Sequence, residues 1–391
     1  MERFALSRMK EWKENENRKP LIIRGARQVG KTWIMKTFGQ QYFEKTAYVN
    51  FDNNARMKQV FEGDLDIERL VLSISAETGV SIEAENTLII FDEVQEVPKA
   101  LTSLKYFYEN APQYAIVAAG SLLGVALHQG TSFPVGKVDF LDLYPLNFRE
   151  FLCAMGEKQF VSMLDSCDTQ MVTVFKTKYI ERLREYYFVG GMPEVVKDFS
   201  EKKDYNRVRA IQKNLINYYQ QDFSKHAEIK LVPRLNLVWN SIPMQLAKEN
   251  KKYIYGQVRE GSRAKDFELA IQWLLDCGLI HKVQRIQKPD LPLKAYIDFD
   301  AFKLFLVDIG LLIAMTDLDA KVIIEGNKIF TEFKGALTEQ YILQQLISDV
   351  GVIPYYYSTQ NSKGEIDFLV QGKTSVIPIE VKAEENLKAK S

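Results

Sequence analysis

Histidine and cysteine are both scarce in this chain of 391 residues, with three of each. Cys153, Cys167 and Cys277 are scattered and odd in number. They make no disulfide framework, and a reducing cytosol is the expected location. His128, His226 and His281 give no Cys/His spacing that would bind zinc. Net charge is missing too, because 51 Lys and Arg balance 51 Asp and Glu. That excludes a histone-like coat for nucleic acid, while leaving room for a local basic face. There is no apolar run of about 18 residues, so no membrane span is expected. The segment AIVAAGSLLGVAL is too short, and Gly120 and Ser121 interrupt it. The N-terminal MERFALSRMKEWKENENRKP is charged throughout and has no apolar signal core. Internal repeats and low-complexity linkers are absent as well.

The residues present are those of an ordinary soluble protein, 46% hydrophobic and 26% charged. The length suits two or three domains. Short apolar segments alternate with helical ones in the first third: PLIIR, then KTWIMKTF, TAYVNFD, two polar helical stretches, TLIIFDE, PKALTSLKYFYENA and YAIVAAG. This alternation predicts a parallel sheet covered on both faces. After Pro145 the pattern turns helical, with LNFREFLCAM, VFKTKYIERLREYYFV ended by GGMP, and DYNRVRAIQKNLINYYQQDFSKH. From about 331, a helix leads into strands YYYST, EIDFLVQ and SVIPIEVKA.

Residues 25 to 32, Gly25, Ala26, Arg27, Gln28, Val29, Gly30, Lys31 and Thr32, fit G-x-x-x-x-G-K-[ST] between a strand and a helix. The glycines let backbone N–H groups close on phosphate oxygens. The helix N-terminus adds positive potential. Lys31 is expected to reach the β- and γ-phosphates of ATP, and Thr32 to ligate Mg²⁺. LIIFDE is an apolar strand tipped by two acids, and a buried tip has no use for carboxylates unless a cation sits there. Asp92 is therefore expected to hold Mg²⁺, and Glu93 to polarise the attacking water. Ser121, ending the next strand, is a candidate contact to the γ-phosphate or a plain helix N-cap.

RGARQVGKT, IIFDEVQ, AAGSLLG and LYPLNFREFL, in that order, resemble a large prokaryotic group of AAA-type P-loop ATPases. GGMPEVV and FKLFLVDIGLL resemble the uncharacterised C-terminal domain that accompanies them. The resemblance implies an ATPase core at 1–145, a helical lid at 146–205 and a helical, winged-helix-like domain at 206–325. It makes Ser121 a sensor. It also exposes a departure: Lys137 stands where the group often has an arginine, and a lysine is a poorer charge-stabilising finger. Arg149 is the other candidate for that role. In AKDFELAIQWLLDCGLIHKV, Phe267, Ala270, Ile271, Leu274 and Leu275 mark one helical face, and Gly278 ends the helix. Nearby Arg259, Arg263, Lys265 and Lys282 are offset by Asp266, Glu268 and Asp276.

In KGEIDFLVQGKTSVIPIEVKA, alternation puts Glu365 and Asp367 on one strand face, and Glu380 and Lys382 on one face of the next strand. Paired as a hairpin they converge, and Glu339 on the preceding helix can join them. This resembles a restriction-endonuclease-like fold with an acid followed by Glu-x-Lys. The resemblance implies an α/β domain at 326–391, metal at Asp367 and Glu380, charge stabilisation by Lys382, and Glu339 and Glu365 as accessory acids. A solvated polar hairpin face is the plainer alternative. The leading expectation is an ATPase acting on DNA or RNA. The second is a nucleotide-gated switch for a protein partner with an inactive nuclease-like domain. Self-association remains open, and no membrane role is expected.

Overall fold

The computed structural model describes residues 1–120, 133–248, 251–325, 331–359 and 364–383. The chain divides into two compact units, Glu2–Tyr144 and Pro145–Ser391.

The first unit is built on five strands, β1 (Leu21–Arg24), β2 (Lys45–Asn50), β3 (Thr87–Asp92), β4 (Ala115–Ala119) and β5 (Asp139–Asp142). They form one parallel sheet in the order β2-β3-β4-β1-β5. β3 and β4 are buried along their whole lengths, as an apolar run covered on both faces should be. In register, Ile23 pairs with Ala119 and Phe91 with Ala118. The C-terminal tips of β1 and β3 therefore open on the same edge, with β4 between them. Helices Lys31–Tyr42, Ala55–Glu62, Ile67–Thr78 and Pro98–Asn110 fill the crossovers. Phe51, Phe61 and Phe91 pack edge to face at 5.4 to 5.7 Å in the core that fixes those tips.

The second unit begins with helices, including Lys176–Val189, Pro193–Lys202 and Tyr205–His226. Residues 171–189 are helical apart from Phe175, and none of them lies in a sheet. Helices Val232–Leu246, Tyr255–Val258 and Ala264–Asp276 then precede an antiparallel pair, β6 (Ile280–Ile286) and β7 (Ile297–Leu306). Phe267, Ala270, Ile271 and Leu274 are buried on the face the spacing assigned to the core. Leu275 is only half-buried, while Trp273 is buried. The helix Thr331–Gln345 leads to β8 (Tyr355–Ser358), β9 (Glu365–Gln371) and β10 (Val376–Ile379). One mixed sheet, β10-β9-β8-β6-β7, joins both sets of strands. Glutamines from the helix complete backbone bonds beside β7: Gln340 pairs with both the N–H and C=O of Leu306 (3.0 and 2.7 Å), and Gln344 accepts from Ile309 N (3.0 Å).

The last strand is shorter than expected. β10 ends at Ile379, so Glu380 and Lys382 lie beyond it and not on its face. The reason is local: the Val381 N–H donates to the Asp367 carboxylate at 2.8 Å, which takes it out of any ladder. Pro378 within β10 has no N–H to give and is tolerated at this sheet edge. Among the described residues no helix is long and apolar enough to cross a membrane.

Candidate nucleotide-binding site and C-terminal carboxylate cluster

β1 runs into residues 25–30, and the helix Lys31–Tyr42 starts directly after them. Gly30 (φ 94°) and Gln28 (φ 66°) take left-handed backbone conformations that curl the loop. Gly25 (φ 148°) passes so close to β5's exit that a Cβ there would lie 2.1 Å from the Leu143 carbonyl. Arg3, buried near the N-terminus, donates to the carbonyls of Val29 (3.0 Å) and Tyr144 (2.6 Å) and so braces the loop from behind. No motif in the sequence flagged this arginine.

Inside the loop, the buried Lys31 ammonium donates to the carbonyls of Gly25 (2.9 Å) and Ala26 (2.8 Å). Burial lowers it to about 8, with Glu93 and Asp92 pulling the other way. The Thr32 hydroxyl donates to Asp92 Oδ2 at 2.7 Å, across β1, β4 and β3. Tyr48, on β2, donates to the same oxygen at 2.9 Å, and the Lys36 ammonium lies 3.8 Å from the centre of its ring. Burial, then the Asp92 charge, hold the Tyr48 hydroxyl well above the usual tyrosine range. Glu93 turns left-handed (φ 51°), and Gln95 Nε2 donates to its Oε2 at 2.6 Å. Lys31, Thr32, Asp92 and Glu93 thus lie close together, with Thr32 bonded to Asp92. Ser121 lies outside the described residues. Lys137 is paired with Glu109 at 3.0 Å. In the other unit, Arg149 pairs with Asp349 at 3.0 Å and with Asp165.

These residues suit Mg²⁺ and a triphosphate. The loop leaves no room for a side chain at Gly25, the Lys31 ammonium lies within it, and the Thr32 hydroxyl and Asp92 carboxylate, already in contact, would be the groups to hold the ion.

In the second unit, Glu339, Glu365 and Asp367 gather from the helix Thr331–Gln345 and from β9. A residue the sequence reading did not single out lies among them. Lys303 of β7, fully buried, places its ammonium 2.5 Å from Glu365 and 3.4 Å from Glu339. Lys251 meets the other oxygen of Glu339 at 2.5 Å. Burial lowers the Lys303 ammonium, but Glu339 and Glu365 more than offset this and hold it above the ordinary lysine value. Burial, then the Glu339 charge, push Asp367 up to about 6, against the Val381 N–H and Lys303. Lys382 pairs with Glu380 at 2.6 Å. Among the described residues, no three Asp, Glu, His or Cys side chains are arranged to hold a metal ion. Lys303 hides in AFKLFL, an apolar strand in which a lone lysine gives no sign of its partners.

Residues 17–152 match the AAA domain family. Residues 180–322 match a domain of unknown function (DUF8612), and residues 334–391 another (DUF4143). The chain is similar in structure to a Walker-type ATPase of Pyrococcus abyssi, at 15% identity over 81% of this chain and 95% of that one, with a TM-score of 0.50. It is also matched to the ORC1 protein of Aeropyrum pernix in complex with DNA, at 13% identity over 80% of this chain and 91% of that one, but the TM-score is 0.30. No curated protein matches it in sequence. The residues similar to the AAA domain family, 17–152, carry the five-stranded parallel sheet.

Proposed function

We propose that the chain binds ATP with Mg²⁺ at residues 25–32 and hydrolyses it, and that the cycle controls the hold of the C-terminal unit on nucleic acid without cutting it. The observation that carries the hydrolytic reading is the 2.7 Å contact between Thr32 and Asp92, beside Lys31 and with Glu93 next in the chain. Bound Mg²⁺ supplies positive charge to the phosphate oxygens. Lys31 leaves its loop carbonyls for the phosphates. Glu93 orients the attacking water and takes its proton, once its carboxylate is released from or repositioned by Gln95. Nucleic acid is the partner class because three helices followed by the β6–β7 hairpin suit a winged-helix-like unit, on which Arg263 and Lys265 are exposed. The helix-strand-strand-strand order of residues 331–379 supports a nuclease-like fold, but two of its carboxylates, Glu339 and Glu365, are already paired with lysines.

Glu93→Gln is expected to keep ATP affinity and lose over a hundredfold in turnover, a barrier rise of about 3 kcal/mol. Turnover at the parent rate would remove Glu93 from the mechanism. Turnover of the unaltered protein, measured with and without DNA or RNA, tests the partner. Stimulation is the expected result, and indifference to both would point to a protein partner.

A further inference from the structure

In a nuclease-like reading of residues 331–383, the carboxylates should collect a divalent metal. The residues present do not fit one. Three carboxylates, Glu339, Glu365 and Asp367, share their enclosure with two ammonium groups, Lys251 and Lys303. Two ammonium charges equal that of one divalent ion, and they are delivered by the chain itself. Lys303 has no exposure at all, so its charge is held by these acids and not by water. Its ring neighbour Tyr356, 4.8 Å away, adds a further favourable face to the cation. Asp367 is bound from the other side by the Val381 N–H, which turns one of its oxygens to the backbone. Glu380, the second expected ligand, lies past the strand end and is paired with Lys382.

We infer that Lys303 occupies the place of the metal ion in this cluster, so that the C-terminal unit is held together by an internal cation and takes up no divalent ion there. The inference adopts the nuclease-like reading of the fold, and it is independent of whether residues 25–93 hydrolyse ATP. An ion placed among these acids would meet a buried positive charge within a few ångströms, and Lys303 has no solvent to retreat into. Removing the lysine alone should reverse the situation. Glu339, Glu365 and Asp367 would then repel one another with Lys251 as their remaining cation, and a divalent ion would relieve that repulsion.

The test uses full-length, nucleotide-free protein carrying Asp92→Asn, which removes the carboxylate expected to hold an ion at the phosphate site. The probe is Mn²⁺, followed by electron paramagnetic resonance and by thermal melting against a chelator control. With Lys303 in place, no saturable Mn²⁺ site and no change in melting temperature are expected. With Lys303→Ala added, melting should fall in chelator and recover as Mn²⁺ is supplied, with one ion bound per chain. The inference is overturned if the parent binds Mn²⁺ at a site that Glu339→Gln or Asp367→Asn abolishes. It is equally overturned if the Lys303→Ala protein folds and neither binds nor responds to Mn²⁺. The parent titration decides the matter even where the alanine variant fails to fold.

Discussion

A lysine ammonium resting on its own loop carbonyls, as Lys31 does, is a stored charge, and its proton is loosely held. Burial brings it to about 8 when the loop contains only protein. Triphosphate oxygens would raise it again, so the complex binds more protons than the free protein. By linkage, affinity then falls as pH rises through about 8, and binding at that pH takes up protons. Calorimetry of a non-hydrolysed ATP analogue, repeated in buffers of different ionisation enthalpy, should show an uptake of up to roughly half a proton per ATP at pH 8 and little at pH 6. A buffer-independent heat at pH 8 would mean that Lys31 stays fully charged in the free loop.

At the scale of elements, the phosphate loop is only as good as its fit between β1 and β5. Gly25→Ala forces a Cβ to 2.1 Å from a backbone carbonyl, at a φ that L side chains rarely adopt. We expect a loss of about 2–4 kcal/mol in stability, with ATP binding lost or strongly weakened, measured by denaturant unfolding and by analogue titration. Glycine's place here was legible as part of a motif, and so were Lys31, Thr32, Asp92 and Glu93. They sit at or just past the tips of β1 and β3, or at the start of the helix after β1, where apolar periodicity breaks into polar residues for a reason that can be named. The parallel strands were legible on the same ground. Arg3 was not, because its partners are carbonyls of Val29 and Tyr144, and a carbonyl leaves no mark on the residue type that carries it. Lys303 was not legible because its acids lie 36 and 62 residues further on, on a helix and on a strand that its own strand does not pair with. The overlong reading of the last strand failed because alternation cannot report that Asp367 captures the amide of Val381.

Within the larger unit of the molecule, the stretches GGMPEVV and FKLFLVDIGLL acquire a physical meaning. They lie more than a hundred residues apart, and they touch. Asp308, fully buried, accepts from Gly191 N at 2.6 Å, from Leu311 N at 3.1 Å and from Gln344 Nε2 at 3.1 Å. Gly190 and Gly310 are glycines by necessity: a Cβ on the first would meet Asp308 at 2.2 Å, and one on the second the Val189 carbonyl at 2.5 Å. One carboxylate thereby joins the turn after Lys176–Val189, the exit of β7 and the helix Thr331–Gln345. Burial raises its pKa, and the hydrogen bonds from Gly191, Gln344 and Leu311 hold it back. Asp308→Ala would strand those buried donors, so a loss of about 3 kcal/mol or more is expected in denaturant unfolding. Because the node ties three parts together, the loss should not stay local. Hydrogen exchange should quicken both in the helix Tyr205–His226, whose Gln212 reaches the same turn through the Phe188 and Val189 carbonyls, and in the helix Thr331–Gln345. Protection lost around Gly191 alone would show that the parts of residues 145–391 hold themselves separately, and that Asp308 is a local cap on the helix that follows it.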